Sequence, residues 1–138
     1  MKNLKTKIVM SLLLAMFSLT TSLADCGYVF KGKIGKYPIV LTIWATAAFA
    51  DGEYYYVSQG KNKTLELHGN YDTEGYEENI WYFTETINGR RNGAFKVKWD
   101  VSTRTGYKRM TGIYRNIKGN SYKVTLTCVK VIENPDHI

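Results

Sequence analysis

Histidine and cysteine are the side chains best suited to metal or nucleophilic chemistry, and this 138-residue chain has two of each. The histidines, His68 and His137, lie far apart in the sequence. A zinc site needs three or four clustered ligands, and a catalytic nucleophile needs a base within hydrogen-bond reach. The sequence shows neither pattern. It therefore predicts no enzymatic activity, no metal site and no cofactor.

An acidic segment is the strongest candidate for binding by charge. Residues 72–78 hold four of the twelve acids of the chain, around a tyrosine. The proposed contact residues are Asp72, Glu74, Tyr76, Glu77 and Glu78. Clustered carboxylates can steer toward a basic cleft of another protein and occupy it. The following connections contain the basic residues Arg90, Arg91, Arg104, Lys108 and Arg109. This distribution predicts a molecule with acid and base at different hairpin ends.

Aromatic side chains on an outer face offer a second kind of binding surface. Trp44, Tyr55 and Trp81, together with Phe83, are candidates for a patch that stacks on sugars or docks a protein. The segments around Tyr55 and Trp81 have large side chains on both faces, so their orientation is left open. In the alternative, these rings fill the core, because strands favour aromatic residues.

The first 24 residues have the features of a secretory signal peptide. Three lysines precede an apolar run over residues 8–19, and small residues suit cleavage before Asp25. We expect residues 25–138 to form one domain in the periplasm or outside the cell. That region has no apolar run of about twenty residues, so no membrane-spanning helix is expected. Its sixteen basic and twelve acidic residues leave a net charge of +4, and nucleic acid is not an expected partner.

Two cysteines, Cys26 and Cys128, lie at opposite ends of this domain. An even number of cysteines in an oxidising compartment suggests a disulfide. We therefore expect a Cys26–Cys128 disulfide, which would close a loop of roughly 100 residues. In the alternative, the protein is anchored to a membrane by a lipid on Cys26, although Asp25 fits that motif poorly.

Short segments of alternating apolar and polar residues predict an all-β fold of about eight strands. The segments lie at residues 26–34, 37–44, 53–58, 65–71, 80–87, 95–101, 109–116 and 122–128. Two Asn-Gly pairs within residues 88–93 suit a hairpin turn. In an up-and-down order the first and last strands can meet antiparallel, which predicts a small closed barrel. A two-sheet β-sandwich is the alternative, because the same alternation suits two packed sheets.

Several short motifs resemble those of small exported bacterial β proteins. They are Tyr37–Leu41, Gly52–Tyr56, Leu65–Gly69, Gly93–Phe95 and Gly112–Tyr114. In size, export signal and single expected disulfide, the chain is also similar to periplasmic lysozyme inhibitors. The leading hypothesis is therefore a non-enzymatic binding or inhibitor protein that blocks a cell-wall hydrolase through residues 72–78. An immunity protein against an exported toxin has the same features. The alternatives are a carbohydrate- or peptidoglycan-binding module that uses Trp44 and Tyr55, and a structural envelope component.

Overall fold

The structure, a computed structural model, describes residues 26–45, 49–72, 79–100 and 109–133. Its strands are β1 (Cys26–Ile34), β2 (Tyr37–Ala45), β3 (Phe49–Tyr56), β4 (Leu65–Tyr71), β5 (Ile80–Ile87), β6 (Arg90–Asp100), β7 (Arg109–Asn116) and β8 (Ser121–Glu133). Each strand pairs antiparallel with the next, and β8 pairs with β1 to close the sheet. The predicted up-and-down barrel is confirmed, and the two-sheet sandwich is not formed.

The predicted signal peptide, residues 1–24, lies outside the described part of the chain and stays a prediction. Acylation of Cys26 likewise stays an alternative. In the part of the chain that the structure describes, no helix has the length and apolar character needed to cross a bilayer.

The barrel has two different ends. At one, which we call the hairpin end, short turns join β1 to β2, β5 to β6 and β7 to β8, and residues 57–64 join β3 to β4. At the opposite end, β1 begins, β8 ends and the other three connections leave the sheet. The site described below lies at the hairpin end.

The two Asn-Gly pairs predicted to form a hairpin turn have separate roles. Asn88 and Gly89 form the β5–β6 turn with φ of 52° and 79°, the pair of positive values that a tight two-residue hairpin requires. Asn92 instead lies within β6 as an extra residue, because Glu85 pairs with Gly93 while the next residue of β5 pairs with Arg91. This β-bulge redirects the Asn92 side chain.

Alternation along the strands determines which side chains fill the barrel. The inward positions predicted for β1, β2, β4, β6 and β8 are confirmed at core residues such as Phe30, Leu41, Leu67, Val97 and Leu126. Tyr37 pairs with the inward Ile34, as predicted, and is nevertheless 50% exposed. It occupies the first position of β2 at the open hairpin end, where no further layer of side chains covers it.

The orientations of β3 and β5, which the sequence left open, are fixed by cross-strand pairing. Tyr54 is buried and Tyr55 faces outward. Trp81 pairs with the inward residues Tyr71 and Val97 and is only 7% exposed. Because paired residues point to the same side of a sheet, Trp81 and Phe83 face the core, so the candidate outer patch does not include them.

Aromatic rings fill the half of the barrel nearest the opposite end. Trp99 lies at the centre of this packing, with the Tyr28 ring 5.1 Å away at 83° and the Phe30 ring 5.6 Å away at 76°. The Trp81 ring lies 5.6 Å from Trp99 on another side. The interior there is a packed core rather than a channel.

The predicted disulfide between Cys26 and Cys128 is wrong, because both thiols are free. Strands β1 and β8 do meet, but β8 continues to Glu133, which lies opposite Cys26. Cys128 lies opposite Phe30, so the cysteines are about 13 Å apart along the strands. A disulfide requires α-carbons within about 7 Å. The Cys128 Sγ instead donates to the Lys130 carbonyl oxygen at 3.5 Å, and burial raises the pKa of this thiol.

Candidate functional site

A cavity of about 310 Å³ opens at the hairpin end of the barrel. It is lined by Ile34, Tyr37, Tyr56, Ser58, Gln59, Tyr114, Asn116 and Tyr122. Because four of these residues are tyrosines, we call this cavity the tyrosine cup. The four tyrosines come from the ends of β2, β3, β7 and β8. At such an end tyrosine can pack its ring against the core while its hydroxyl reaches water.

The walls of the tyrosine cup are formed by two pairs of rings. Tyr37 and Tyr56 meet edge to face, with centroids 6.3 Å apart and planes at 88°. Tyr114 and Tyr122 lie 6.4 Å apart at 31°. Below the first pair, the Tyr54 ring lies 5.6 Å from Tyr56. The cup therefore presents both faces and edges of aromatic rings to whatever enters it.

A buried carboxylate lies beneath the tyrosine cup. Glu85 is 0% exposed and accepts hydrogen bonds from three side chains. Tyr54 donates to its Oε1, while Asn92 Nδ2 and the Tyr114 hydroxyl donate to its Oε2, the latter at 3.2 Å. These bonds replace the water that a buried carboxylate loses. Tyr114 belongs both to this Glu85 network and to the wall of the cup.

Gly93 makes room for the contact between Tyr114 and Glu85. It pairs with Glu85 across β5 and β6, and the Tyr114 phenol lies directly over it. A β-carbon at this position would meet Tyr114 Cζ at 2.7 Å and Cε1 at 2.8 Å, closer than van der Waals contact allows. A residue without a side chain is therefore required for this network.

The hydroxyls around Glu85 are held in their protonated form. Burial raises the pKa of Tyr54, and the charge of Glu85 and the hydrogen bond to it raise it further. Burial and then the charge of Glu85 raise the pKa of Tyr114 in the same way. For Tyr56, burial raises the pKa although the hydrogen bond with Tyr54 opposes that shift. At neutral pH these tyrosines are therefore hydrogen-bond donors.

The tyrosine cup is lined by aromatic and polar side chains that carry no charge. None of its eight lining residues is Lys, Arg, His, Asp or Glu, and the hydroxyl of Ser58 and the amide of Gln59 add polar groups from the β3–β4 turn. The ammonium of Lys36 lies 5.5 Å from the Tyr37 ring centroid but does not line the cavity. Such a lining suits a neutral ligand that has both apolar faces and hydroxyl or amide groups.

The aromatic residues predicted to form one outer patch are not brought together. Trp44 and Tyr55 do face outward, but Trp44 pairs with Asp51 while Tyr55 pairs with Val40, which separates them by about 13 Å along the strands. Trp81 lies inside the barrel. The Trp44 ring is packed over Gly27, so part of it is already covered.

The acidic segment lies mostly outside the described residues, as do Glu74, Tyr76, Glu77 and Glu78. Asp72 is described at the end of β4, where its Oδ2 accepts a hydrogen bond from the Tyr82 hydroxyl at 3.3 Å. Arg109 begins β7 at the same end of the barrel, so the prediction that acid and base lie at different ends is wrong for this arginine. Arg90 and Arg91 lie at the hairpin end, as that prediction requires.

His68 lies on the outer wall beside two acids. Its Nδ1 is 3.0 Å from Asp51 Oδ1, and its Nε2 is 3.9 Å from Glu66 Oε1. All three side chains are largely exposed. Across the described ranges, no three or more His, Cys, Asp or Glu residues are grouped as metal ligands.

Sequence reasoning missed both Glu85 and the tyrosine cup. A glutamate between Thr84 and Thr86 looks like a solvent-facing residue unless the strand is first oriented by Trp81 and Phe83. Had those two been assigned to the core, alternation would have placed Glu85 inside as well. The cup tyrosines are scattered over four strands, and only closure of the barrel brings them together.

Comparisons of this chain with models of known protein families, with curated proteins and with solved structures find no match.

Proposed function

We propose that this chain is a binding protein that holds a neutral saccharide unit in the tyrosine cup. The observation that carries the proposal is the set of four tyrosines around one open cavity that no charged side chain lines. The mouth of a β-barrel is a common place for a ligand site. Together with the signal peptide that the sequence predicts, this supports a role in binding glycan outside the cytoplasm.

The shape of the interior favours a small cyclic ligand over a lipid chain. A cavity of about 310 Å³ is at the lower end of the usual range of roughly 300–1,000 Å³ for ligand sites. Below it the barrel is filled by the Glu85 network and by rings such as Phe95. A long acyl chain therefore has no space to enter, whereas a sugar ring can rest its C–H face on one tyrosine and hydrogen-bond to others.

The test is calorimetric titration of the purified protein with soluble peptidoglycan fragments, N-acetylglucosamine oligomers and glucose oligomers. Tyr37→Ala removes a ring that is half exposed, so we expect intact folding and an affinity reduced by about tenfold. Tyr55→Ala is the matched control, because this tyrosine lies on the outer wall away from the cup. Equal effects of the two variants, or no binding of any saccharide, would overturn the proposal.

A second candidate is an inhibitor of a basic cell-wall hydrolase or toxin. It is favoured by the outer wall of β3 and β4, where Glu53 pairs directly with Glu66 and Asp51 with His68. Like charges directly opposite each other destabilise a sheet, and a basic partner would relieve that repulsion. Asp72 extends the acidic character to the end of β4.

Inhibition assays against lysozymes distinguish the two candidates. Under the inhibitor proposal, Glu53→Gln with Glu66→Gln should weaken inhibition, as should neutralising the acids of residues 72–78. The same changes should leave saccharide titrations unaltered. If the protein inhibits no hydrolase at concentrations where it binds saccharide, the inhibitor proposal fails and the saccharide proposal stands.

A further inference from the structure

The outer wall of the barrel is divided into a basic half and a half without cations. The described strands β2 to β5 contain no Lys or Arg. Exposed cations on the other four strands are Lys31, Lys33, Arg90, Arg91, Lys96, Lys98, Arg109, Arg115, Lys123 and Lys130. We call this surface of β6, β7, β8 and β1 the basic wall. Among the side chains that the structure describes on these four strands, Asp100, the last residue of β6, is the only carboxylate.

Cross-strand register places these cations in rows around the barrel. One row runs from Lys96 through Ile113 to Lys123, and the next runs from Lys98 through Thr111 and Thr125 to Lys33. Lysine therefore alternates with short or neutral side chains rather than with acids. No acidic residue occupies a position within these two rows.

The basic wall contains a groove in which a ligand can bind. This groove has a volume of about 280 Å³ and is lined by Lys31, Gly32, Lys33, Gly35, Lys123, Thr125 and Thr127. Lys31 pairs with Thr127 and Lys33 with Thr125, so a threonine lies opposite each of these two lysines. Lys31 and Lys33 point to the same side and are roughly 7 Å apart.

We propose that the basic wall binds an extended, flexible polyanion of linked phosphate groups that carries no nucleobases. A single exposed lysine holds one phosphate weakly, but linked phosphates that meet several lysines add their effects. Lys31 and Lys33, roughly 7 Å apart along β1, can each hold a different phosphate of such a chain. The hydroxyls of Thr125 and Thr127 add hydrogen bonds to phosphate oxygens.

The shape and composition of the wall favour a flexible chain over other anionic partners. The cations are spread over four strands of a closed barrel and point in different directions, so a flat lipid surface can meet only some of them. No aromatic side chain faces outward among the described residues of the basic wall itself, although Tyr82 of the adjacent β5 borders it, with its ring centroid 6.0 Å from the Lys96 ammonium. Single-stranded nucleic acids are usually held by stacking on such rings, which leaves a polymer recognised through its phosphates.

The experiment titrates the purified protein with short-chain polyphosphate, and with inorganic phosphate at the same phosphorus concentration. We expect polyphosphate to bind, inorganic phosphate to bind at least about tenfold more weakly, and affinity to fall with added salt as counterions are released. Further arms use phosphatidylglycerol vesicles and oligothymidylate of equal charge. Tighter binding of either of these than of polyphosphate would overturn the proposal in favour of a membrane or a nucleic acid.

A pair of variants separates the groove from net charge. Lys31→Gln with Lys33→Gln removes two groove lysines, and Lys61→Gln with Lys63→Gln removes two exposed lysines of the same spacing in the β3–β4 turn. All four are surface residues, so both variants should keep the melting temperature of the parent. We expect the first pair to weaken polyphosphate binding about tenfold or more and the second to change it less than about twofold. Equal losses would mean that only overall charge matters and would refute the groove.

The saccharide proposal does not depend on these results. Tyr37→Ala should leave polyphosphate binding unchanged, and the Lys31 and Lys33 variant should leave saccharide binding unchanged. If either variant loses binding of both saccharide and polyphosphate, the two sites are not separate and the basic wall proposal is wrong.

Discussion

The two halves of the barrel interior are filled by different kinds of side chain. Toward the opposite end, Trp99 packs edge-on against Tyr28 and Phe30. Toward the hairpin end, the buried carboxylate of Glu85 takes three hydrogen bonds. The first half gains stability from the burial of apolar surface and from the packing of aromatic rings. The second half carries a charge whose burial is tolerated only while its donors stay in place.

The polar half of the interior is the half that shapes the tyrosine cup. An apolar core of rings would stabilise the barrel at both ends, and no stability argument calls for a carboxylate at the hairpin end. The Glu85 network fixes the orientation of Tyr114, and Tyr114 forms a wall of the tyrosine cup. We infer that the polar half trades some stability for a defined shape of the cup.

Removing the central ring of the apolar half should have the largest effect. Trp99→Ala leaves a large cavity among aromatic neighbours, and we expect it to lower the free energy of unfolding by about 3–5 kcal/mol. Urea denaturation followed by circular dichroism measures this loss. Phe49→Ala, at an exposed ring near the same end, should cost less than about 1 kcal/mol. A loss below about 1.5 kcal/mol for Trp99→Ala would mean that this half is not tightly packed.

Removing one donor from the polar half should have a smaller but specific effect. Tyr54→Phe leaves one carboxylate oxygen of Glu85 without its donor, and we expect a loss of about 1–3 kcal/mol in the free energy of unfolding. Tyr55→Phe deletes the same hydroxyl one residue along, on the outer wall, and should change stability by less than about 0.5 kcal/mol.

A double-mutant cycle with Glu85→Gln shows whether this loss comes from the hydrogen bond itself. The coupling between Tyr54 and Glu85 should be about 0.5–3 kcal/mol, since the two groups are in direct contact. Additive losses would show that the Tyr54 hydroxyl acts on stability independently of Glu85.

Alkaline pH should lower the free energy of unfolding through the buried tyrosines of the polar half. The pKa values of Tyr54 and Tyr114 are raised in the folded protein, so the unfolded chain releases these protons first. Stability is therefore fully present below the unfolded value of about 10 and falls as pH rises above it, by about 1.4 kcal/mol per pH unit for each tyrosine. Denaturation curves between pH 9 and 11 measure the slope. It should be shallower in Tyr54→Phe, and an unchanged slope in that variant would contradict the assignment.

The smallest effect is expected from a reductant. Cys26 and Cys128 are free thiols, so the barrel is held by packing and strand pairing, and dithiothreitol should shift the free energy of unfolding by less than about 0.5 kcal/mol. A native disulfide closing a loop of roughly 100 residues would instead contribute about 4–5 kcal/mol in the chain-entropy view. A large loss on reduction would therefore show that the cysteines are joined in the protein.

The fold could be predicted from the sequence because most of its signals are local. Alternation within β1, β4 and β6 and the Asn88–Gly89 turn each specify structure over a few residues. The disulfide prediction failed because it depended on where β8 ends and on an irregularity in pairing between Val29 and Phe30, and neither has a clear local signature.

The candidate site could not be predicted because it depends on contacts between distant segments. Trp81 and Tyr82 are both large and aromatic, so nothing within β5 says which of them faces the core. Glu85 follows the orientation of that strand. The meeting of Tyr37 with Tyr56, and of Tyr114 with Tyr122, requires the register of the whole closed sheet.

The pairing of β1 with β8 has a consequence for how the protein can be made. Until β8 is in place, β1 and β7 both have unpaired backbone edges, and such edges can pair with other chains. The closing contact also joins the most distant parts of the domain, the kind of contact that forms slowly. The barrel can therefore close only when the carboxyl-terminal strand is present. A chain truncated before Ser121 would have two unpaired strand edges that promote aggregation.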